Sequence, residues 1–264
     1  KTYDDFYKLK KLNYGSPIYL DKIKKKMEKN SNYNRLCQYA FRYYFDFELV
    51  DNVSDLDVLS RAFYKCNDVF YNTKIINKPI LYGSFIAEAP GGFIHAIKYI
   101  RKDDNWNDFK VISILEDKNT VYEQGNFFNK FKDNLVYSET NNGDITISNN
   151  ILEYKEQIKL LTNGYYADIA TADGGFDTPK QYDIQELLTS KLIFGEIIAA
   201  IATQALGGVF YLKIFDSYSD IIVKLLYLLS ILYKSVQIIK PLNSRSASSE
   251  KYVYCEHFLL EPDS

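Results

Sequence analysis

The seven residues from Thr171 to Asp177, TADGGFD, place an acid and two glycines directly after an apolar run at 165–170 that predicts a buried strand. An aspartate at the end of such a strand is costly unless a cation or a hydrogen-bond donor pairs with it. The glycines leave room for another group to lie against the backbone. Asp173, Gly174 and Gly175 together are therefore typical of a functional site.

Lys213 is a second residue whose position suggests chemistry, because it interrupts the apolar run at 209–215. A charge in a strand covered on both faces must either point into a polar pocket or reach out to solvent, and the pattern favours the pocket. Lys65 and Glu250 are less specific by themselves. Lys65 beside an apolar helix row is typical of a solvated lysine, and Glu250 at the end of a Ser-rich loop also fits an exposed turn.

The loop at 89–92, APGG, lies between a predicted strand and a predicted helix. It could admit a ligand to the N-terminus of the helix, or it could simply form a tight turn. It matches neither the dinucleotide-binding G-x-G-x-x-G motif nor the phosphate-binding P-loop. An acid after the second predicted strand, Glu116 or Asp117, is typical of a residue that holds the ribose hydroxyls of a nucleoside-containing cofactor.

The elements that must position these groups alternate between helices and strands. Apolar spacing predicts helices at 54–71, at 93 to about 100, at 151–161, 184–206 and 220–233. It predicts strands at 80–87, 111–115, 165–170, 209–215, 236–239 and 252–258, with a weaker candidate at 135–137. Ser54 is predicted to cap the first helix, and Gly207-Gly208 to end the long one. This alternation predicts an α/β fold whose ligands bind beyond the carboxyl ends of the strands.

Composition limits the classes of function. A chain of 264 residues, 47% hydrophobic and 25% charged, predicts one globular domain, here with an N-terminal Lys/Tyr-rich helical extension over 1–50. The net charge of −2 gives no overall nucleic-acid footprint. Residues 1–30 hold nine lysines against four acids. They fit a solvated helix face, an RNA-contacting arm or, more weakly, a nuclear localisation signal.

Cysteine usage bears on the compartment. Three irregularly spaced cysteines argue against a disulfide framework and favour a reducing, intracellular location, and two histidines do not make a zinc site, so no metal is expected. We expect no signal peptide and no membrane-spanning segment, and hence a soluble protein. The richness in Lys, Asn, Ile and Tyr suggests an AT-rich genome, such as that of a large DNA virus or a protist.

Six short motifs, in this order, resemble those of the FtsJ/RrmJ-type ribose 2′-O-methyltransferases. The resemblance is closest to the eukaryotic and viral cap-specific mRNA (nucleoside-2′-O-)-methyltransferases, and it runs from about residue 59 to residue 258. The motifs are SRAFYK at 60–65, APGGF at 89–93, GDIT at 143–146, ADGGF at 172–176, LKIFD at 212–216 and KPLNSRSASSEKY at 240–252.

The resemblance implies a Rossmann-like methyltransferase domain over 51–264, with a mostly parallel seven-stranded sheet and helices on both faces. It also implies a catalytic tetrad of Lys65, Asp173, Lys213 and Glu250. A ribose 2′-hydroxyl is a poor nucleophile at neutral pH, so an amine must take its proton, a role that the resemblance gives to Lys213. A second ammonium and partial burial are expected to lower the pKa of that lysine.

The cofactor implied by the resemblance is S-adenosyl-L-methionine. The residues implied to contact it are Glu88, Ala89, Pro90, Gly91, Gly92, Phe93, Glu116, Asp144, Ile145 and Asp173. Many relatives carry an aspartate at the end of the first strand, where this chain has Phe85. Either Glu88 supplies the missing carboxylate to the methionine end, or cofactor affinity is weak. Arg245 and Ser248 match positions that contact RNA in similar enzymes.

The function implied is methylation of the ribose 2′-hydroxyl of the first transcribed nucleotide of capped mRNA, which converts cap-0 to cap-1. Capped mRNA is the expected partner, with other capping or transcription subunits possible. The alternatives are an rRNA or tRNA ribose 2′-O-methyltransferase and a catalytically silent RNA-binding or cofactor-binding subunit. The implied location is cytoplasmic, in a viral factory or virion, for a viral protein and nuclear for a cellular one.

Overall fold

The structure is a computed structural model that describes residues 58–114, 132–137, 142–175, 185–244 and 248–261. Its helices are α1 (Ala62–Phe70), α2 (Gly92–Arg101), α3 (Ser148–Leu161), α4 (Gln185–Thr203) and α5 (Asp220–Leu232). Its strands are β1 (Gly83–Ile86), β2 (Phe109–Ile112), β3 (Ala167–Ala172), β4 (Gln204–Ile214), β5 (Tyr233–Ile239) and β6 (Lys251–Phe258). The alternation predicted from the sequence is confirmed. The predicted extension over 1–50 and the Ser54 cap lie outside the described residues.

The strands form one sheet in the order β2-β1-β3-β4-β6-β5. Strands β1 to β4 run parallel, while β6 runs antiparallel to both β4 and β5. Within the described ranges the sheet has six strands, so the expected count of seven is wrong there. Leu135 forms an isolated bridge with Val111, and the side-chain amide of Asn134 donates to the backbone carbonyls of Asn107 and Phe109. The Val136 N–H also donates to the Val111 carbonyl at 2.8 Å, so residues 135 and 136 contact the edge of β2 without forming a strand.

The core lies in two buried clusters, one on each face of the sheet. Phe85 and Tyr211 pack with α1 and α2 on one face, whereas their neighbours Ile86 and Leu212 pack with α3, α4 and α5 on the other. Successive residues of a strand point to opposite faces, so a strand covered on both sides needs a continuous apolar sequence. The central strands are therefore predictable from the sequence as mainly apolar runs.

The prediction that Gly207-Gly208 caps the long helix is wrong. Helix α4 ends at Thr203, whose hydroxyl donates to the carbonyl of Ala199 at 2.8 Å, and the chain enters β4 at the next residue. Gly207 lies inside β4 with a φ of +78°, close to a shift in the β3–β4 register. Its positive φ therefore serves an irregularity in the strand, where glycine adopts such a φ without steric cost.

Among the helices of the described ranges, none combines the length and apolarity that a bilayer span requires.

Candidate active site

Strand register brings the predicted site residues to one edge of the sheet. Ala172 pairs with Ile86 of β1 and with Leu212 of β4, so Asp173 and Lys213 both follow this row. Lys213 pairs in turn with Tyr252 of β6. Because β6 is antiparallel to β4, its first residues lie at the carboxyl edge of the parallel strands. Glu250, which directly precedes β6, therefore reaches the same edge.

The four residues of the expected tetrad form two lysine–carboxylate pairs. Lys65 Nζ lies 2.8 Å from Glu250 Oε2, and Lys213 Nζ lies 3.3 Å from Asp173 Oδ1. Lys213 also donates to the Asp173 carbonyl at 2.5 Å. All four side chains are 11–17% exposed. Lys65 is thus not the solvated lysine that its helix position alone suggested, and Lys213 points into a polar pocket.

Tyr252 joins the two pairs. Its hydroxyl donates to Asp173 Oδ1 at 2.9 Å, and Lys65 Nζ lies 5.9 Å from the centre of its ring. The ring stacks on Tyr211 with centroids 4.6 Å apart and planes at 15°, and Tyr211 Oη donates to the Lys65 carbonyl at 3.3 Å. Burial, followed by the charges of Asp173 and Glu250, raises the pKa of Tyr252. The hydroxyl therefore keeps its proton and remains a donor.

Glu250 is fixed by the loop that precedes it. Ser244 Oγ donates to Glu250 Oε1 at 2.9 Å, and the Glu250 N–H donates to Ser248 Oγ at 3.2 Å. Lys240 Nζ donates to the carbonyls of Ser248 and Glu250 at 2.7 and 2.6 Å. Burial alone would raise the pKa of Glu250, but the paired Lys65 ammonium outweighs it and the net shift is downward. Arg245 lies outside the described residues.

The expected lowering of the Lys213 pKa is wrong for the free protein. Burial alone would lower this pKa, but the carboxylates of Asp173, Glu250 and Glu196 together raise it above the ordinary value of 10.5. Negative charges within a few ångströms stabilise the ammonium form more than partial burial destabilises it. The Lys213 amine is therefore held protonated at neutral pH when no ligand is bound.

The loop at 88–93 is built around a buried acid. Glu88 is 2% exposed, and its Oε1 accepts from the Phe93 N–H at 2.7 Å, which closes the loop onto the first turn of α2. Gly91 has a φ of +99°, and the Ala89–Pro90 peptide is cis. The Phe93 side chain is fully buried against Tyr211, so of Phe93 only backbone atoms face the loop.

Two further predicted cofactor residues follow β2 and precede α3. Asp144 Oδ1 accepts from the Thr146 N–H at 2.9 Å in a turn before the helix. Ile145 is 2% exposed and its side chain belongs to the core, so an adenine could reach its backbone but not its side chain. Glu116 lies outside the described residues.

The loop fits the methionine end of S-adenosylmethionine. Glu88 Oε2 is buried and has no well-formed hydrogen bond among the described residues, although the nearby Thr171 hydroxyl acts to lower the Glu88 pKa. Burial, followed by the charge of Asp173, raises that pKa overall. A ligand ammonium or hydroxyl would satisfy the free oxygen, because a buried acceptor without a donor is costly.

The glycines of the motif after β3 leave room for groups of the protein itself. A Cβ on Gly174 would lie 2.3 Å from Glu196 Oε1, and one on Gly175 would lie 3.2 Å from Lys213 Nζ. Glu196 accepts from the Gly174 N–H at 2.8 Å. The sequence patterns gave neither Glu196 nor Tyr252 a role. The signals were an acid inside an apolar helix and the position of Tyr252 two residues after Glu250.

Comparisons with known proteins show which proteins this chain is similar to. Over 123 residues, 47% of this chain and 16% of the relative, the chain is 36% identical to cap-specific mRNA (nucleoside-2′-O-)-methyltransferase 1 of Dictyostelium discoideum. It is 27% identical over 217 residues to cap-specific mRNA (nucleoside-2′-O-)-methyltransferase 2 of Drosophila melanogaster, covering 78% of this chain and 31% of that protein. The chain thus spans less than a third of the length of these relatives.

A solved structure shares the fold. The crystal structure of a protein described as a ribosomal RNA methyltransferase from Plasmodium falciparum superimposes with a TM-score of 0.54 at 20% identity, over 76% of this chain and 98% of that one. The family profile described as FtsJ-like methyltransferase matches residues 58–258, which include both lysine–carboxylate pairs and the loop at 88–93. The chain therefore belongs to the FtsJ-like methyltransferase family.

Proposed function

We propose that this chain transfers a methyl group from S-adenosyl-L-methionine to the ribose 2′-hydroxyl of the first transcribed nucleotide of capped mRNA. The observation that carries the proposal is the pair of lysine–carboxylate contacts, Lys65 with Glu250 and Lys213 with Asp173, joined through Tyr252. The choice of capped mRNA is supported by the names of the relatives, cap-specific mRNA (nucleoside-2′-O-)-methyltransferases.

When bound, S-adenosylmethionine supplies an electrophilic methyl group on a sulfonium. The methyl group would pass from the sulfonium sulfur to the ribose 2′-oxygen, and a base of this chain would take the hydroxyl proton. Lys213, in its neutral form, is the base in this proposal, and the carboxylate and carbonyl of Asp173 orient its amine. The Lys65–Glu250 pair lies beside it and supplies a second fixed ammonium for the ribose oxygen.

Lys213 must lose a proton before it can act as a base. Its raised pKa in the free protein makes that unfavourable at neutral pH. A positive charge brought close to the amine would lower this pKa, because like charges disfavour the protonated form. The sulfonium of the cofactor would be such a charge, so the arrangement supports a base that becomes competent once the cofactor is in place.

The contacts for the cofactor and the RNA are part of the proposal. For the cofactor they are Glu88, Ala89, Pro90, Gly91, Gly92, Phe93, Glu116, Asp144, Ile145 and Asp173, of which Phe93 and Ile145 would contribute backbone atoms. Arg245 and Ser248 would contact RNA. Ser248 Oγ accepts from the Glu250 N–H, and this supports the proposal of an RNA contact beside the tetrad.

Methyl transfer to matched short RNAs tests the proposal. The substrates are one RNA with an N7-methylated cap, the same RNA without a cap, and a structured rRNA fragment, each with labelled cofactor and nuclease mapping of the product. We expect 2′-O-methylation of the first transcribed nucleotide of the capped RNA. The variant Lys213→Gln should lose transfer while it still binds cofactor. The variant Lys78→Gln, at the opposite end of the sheet, should retain transfer.

Each other outcome has a defined meaning. Transfer only to the uncapped RNA or to the rRNA fragment would overturn the assignment of capped mRNA as substrate, but ribose 2′-O-methylation would remain the reaction. Cofactor binding without transfer to any of the three RNAs would favour a silent subunit. Full activity of Lys213→Gln would remove Lys213 from the role of base.

A further inference from the structure

Glu196 is a buried carboxylic acid on α4 that the tetrad does not include. It is fully buried, and its neighbours Ile193 and Ile197 belong to the core. An acid in such a place is costly unless it makes hydrogen bonds. Oε1 accepts from the Gly174 N–H at 2.8 Å, whereas Oε2 is buried without a hydrogen-bond partner in the part of the chain that the structure describes.

The bond to Gly174 acts on the turn that carries Asp173. Strand β3 ends at Ala172, so the strand ladder does not continue into this turn. A Cβ on Gly174 would lie 2.3 Å from Glu196 Oε1 and 3.0 Å from Ala87 Cβ, which shows how tightly the turn is wedged between α4 and the end of β1. The preceding residue, Asp173, contacts Lys213 through both its carboxylate and its carbonyl. Glu196 therefore holds the backbone that aims Asp173 at the lysine.

Glu196 also contributes to the charge that Lys213 faces. Its carboxylate is among the negative groups that raise the pKa of Lys213, with Asp173 and Glu250. Burial raises the pKa of Glu196 to about 8, and the charge of Lys213 and the Gly174 N–H offset only part of that effect. Glu196 is therefore mostly protonated at neutral pH and is ionised in the alkaline range where the Lys213 amine of the free protein would lose its proton, so its charge acts on Lys213 in that range.

We propose that Glu196 is a positioning residue for methyl transfer, which fixes the Asp173–Gly174 turn against Lys213 and which, once ionised, adds to the negative charge that faces the Lys213 amine. The effect on catalysis rests on the function proposed above, whereas the effect on Lys213 can be measured in the free protein. Glu196 reaches the reaction only through Gly174, Asp173 and Lys213.

Two variants separate the effect of the hydrogen bond between Glu196 and Gly174 from the effect of the Glu196 charge. Glu196→Gln keeps an oxygen that can accept from Gly174 but carries no charge, and Glu196→Met keeps the volume but removes the acceptor. The matched control is Asp168→Asn. Asp168 is also a buried acid that accepts from a backbone N–H, that of Tyr82, but it lies toward the opposite end of β3.

The first measurement is an NMR titration of the full chain labelled with ¹³C at lysine Cε, with the Lys213 signal assigned through Lys213→Gln. In Glu196→Gln the midpoint of the Lys213 titration should move down by about 0.5 pH or more, because a nearby negative charge is gone. The midpoint in Asp168→Asn should stay within about 0.2 pH of that in the unmodified protein. A midpoint in Glu196→Gln that also stays within about 0.2 pH would overturn the charge assignment.

The second measurement is steady-state kinetics on the capped RNA, per folded molecule. Glu196→Met should lose about tenfold or more in kcat with little change in the KM for cofactor, because the turn is misaligned rather than the loop at 88–93. Glu196→Gln should keep kcat within about threefold, with the rise of kcat/KM moved to lower pH. Unchanged kcat in folded Glu196→Met would overturn the proposal that the hydrogen bond from Gly174 to Glu196 positions Asp173.

The outcomes remain separable from those of the proposed function. If Glu196→Met does not fold, the titration and the pH profile of Glu196→Gln still decide the charge assignment. If the unmodified protein methylates none of the RNAs, the proposed function fails, and the Lys213 titration continues to test the contact between Glu196 and the tetrad.

Discussion

Asp173 is the residue on which the contacts of the site converge. Its Oδ1 accepts from the Tyr252 hydroxyl and pairs with the Lys213 ammonium, which come from two adjacent antiparallel strands. Its carbonyl accepts a further hydrogen bond from Lys213. A carboxylate held from two sides in this way has little freedom to turn, so the direction of the Lys213 amine is fixed by the sheet.

Removing one hydroxyl tests this convergence. Tyr252→Phe should keep the ring stacked on Tyr211 but lose the 2.9 Å bond to Asp173. A hydrogen bond to a charged acceptor contributes about 1.5 kcal/mol, so kcat on capped RNA should fall by about tenfold. Tyr254→Phe, two residues along β6 and also buried, is the control and should keep its kcat. Equal kcat values for the two variants would show that the Asp173 bond has no catalytic consequence.

The Lys65–Glu250 pair predicts how stability depends on pH. The pKa of Glu250 is lowered by folding, so its contribution to stability is fully present above the unfolded pKa, about 4.3, and is lost as pH falls through the folded value. Glu250→Gln also leaves the Lys65 ammonium without its carboxylate. It should therefore lower the free energy of unfolding by about 3 kcal/mol at pH 7, and by progressively less as pH falls below about 4.

Urea unfolding at a series of pH values measures this difference. Glu153→Gln, on α3 at the other face of the sheet, is the control and should differ from the unmodified protein by less than about 0.5 kcal/mol at every pH. A Glu250→Gln deficit that stays constant from pH 7 to pH 3 would show that the loss comes from packing rather than from ionisation.

At the scale of elements, the approach of α1 to α2 sets the position of Lys65. The first turn of α2 lies against the chain that leads into α1, so closely that a Cβ on Gly92 would lie 2.3 Å from Ser60 Oγ and 2.8 Å from Ala62 Cβ. The room at this glycine is thus taken by the chain itself. The same contact connects the loop at 88–93 to the helix that carries the first lysine of the tetrad.

Gly92→Ala should therefore act on stability and on activity together. Forcing the two helix starts apart should cost about 2 kcal/mol in the free energy of unfolding and should displace Lys65 from Glu250. Gly164→Ala provides the control. No atom lies within 4 Å of the added carbon there, so the cost should be the strain of a φ of +86°, about 1 kcal/mol, without loss of kcat. Thermal melts and kinetics on capped RNA distinguish the two variants, and a fully active Gly92→Ala would contradict the coupling.

The order of the elements was predictable because strands covered on both faces and amphipathic helices have different apolar periods. Residues 135–137 look like a strand for the same reason, yet their pairing with β2 stops at an isolated bridge between Leu135 and Val111. Gly207-Gly208 looks like a helix cap because glycines with a positive φ are common at helix ends. The sequence pattern alone does not show whether such a φ serves a helix end or an irregularity in a strand. Both failures depend on a neighbouring strand that the local sequence does not contain.

The candidate site was predictable to a similar extent. The tetrad followed from the family motifs, whereas the roles of Glu196 and Tyr252 depend on the register that sets them beside Asp173. The predicted direction of the Lys213 pKa shift was wrong because the shift depends on the number of carboxylates around the amine. That number is a property of the packed site and not of spacing along the chain.

At the scale of the molecule, the site lies at the edge of the sheet that separates the two buried clusters of the core. Lys65 comes from α1 on one face of the sheet and Glu196 from α4 on the other, and the strands between them carry Asp173 and Lys213. The loop at 88–93 starts from β1 and ends in α2. A ligand bound at this edge would contact elements that belong to both layers, so binding should stabilise the whole cooperative unit.

Thermal melts with S-adenosylhomocysteine test this together with the role of Glu88. At about a hundredfold excess over Kd the ligand should add about 2.7 kcal/mol of stability, which corresponds to a rise in Tm of roughly 5–10 °C for a domain of this size. Glu88→Gln keeps an acceptor for the Phe93 N–H but loses the charge opposite the ligand ammonium. Its rise in Tm at the same ligand concentration should be less than about half as large. Lys213→Gln should keep most of the rise, because in the proposed function Lys213 acts on the ribose and not on the methionine end. Equal shifts for Glu88→Gln and the unmodified protein would mean that the buried oxygen of Glu88 meets some other group, and that the loop holds the cofactor through its backbone alone.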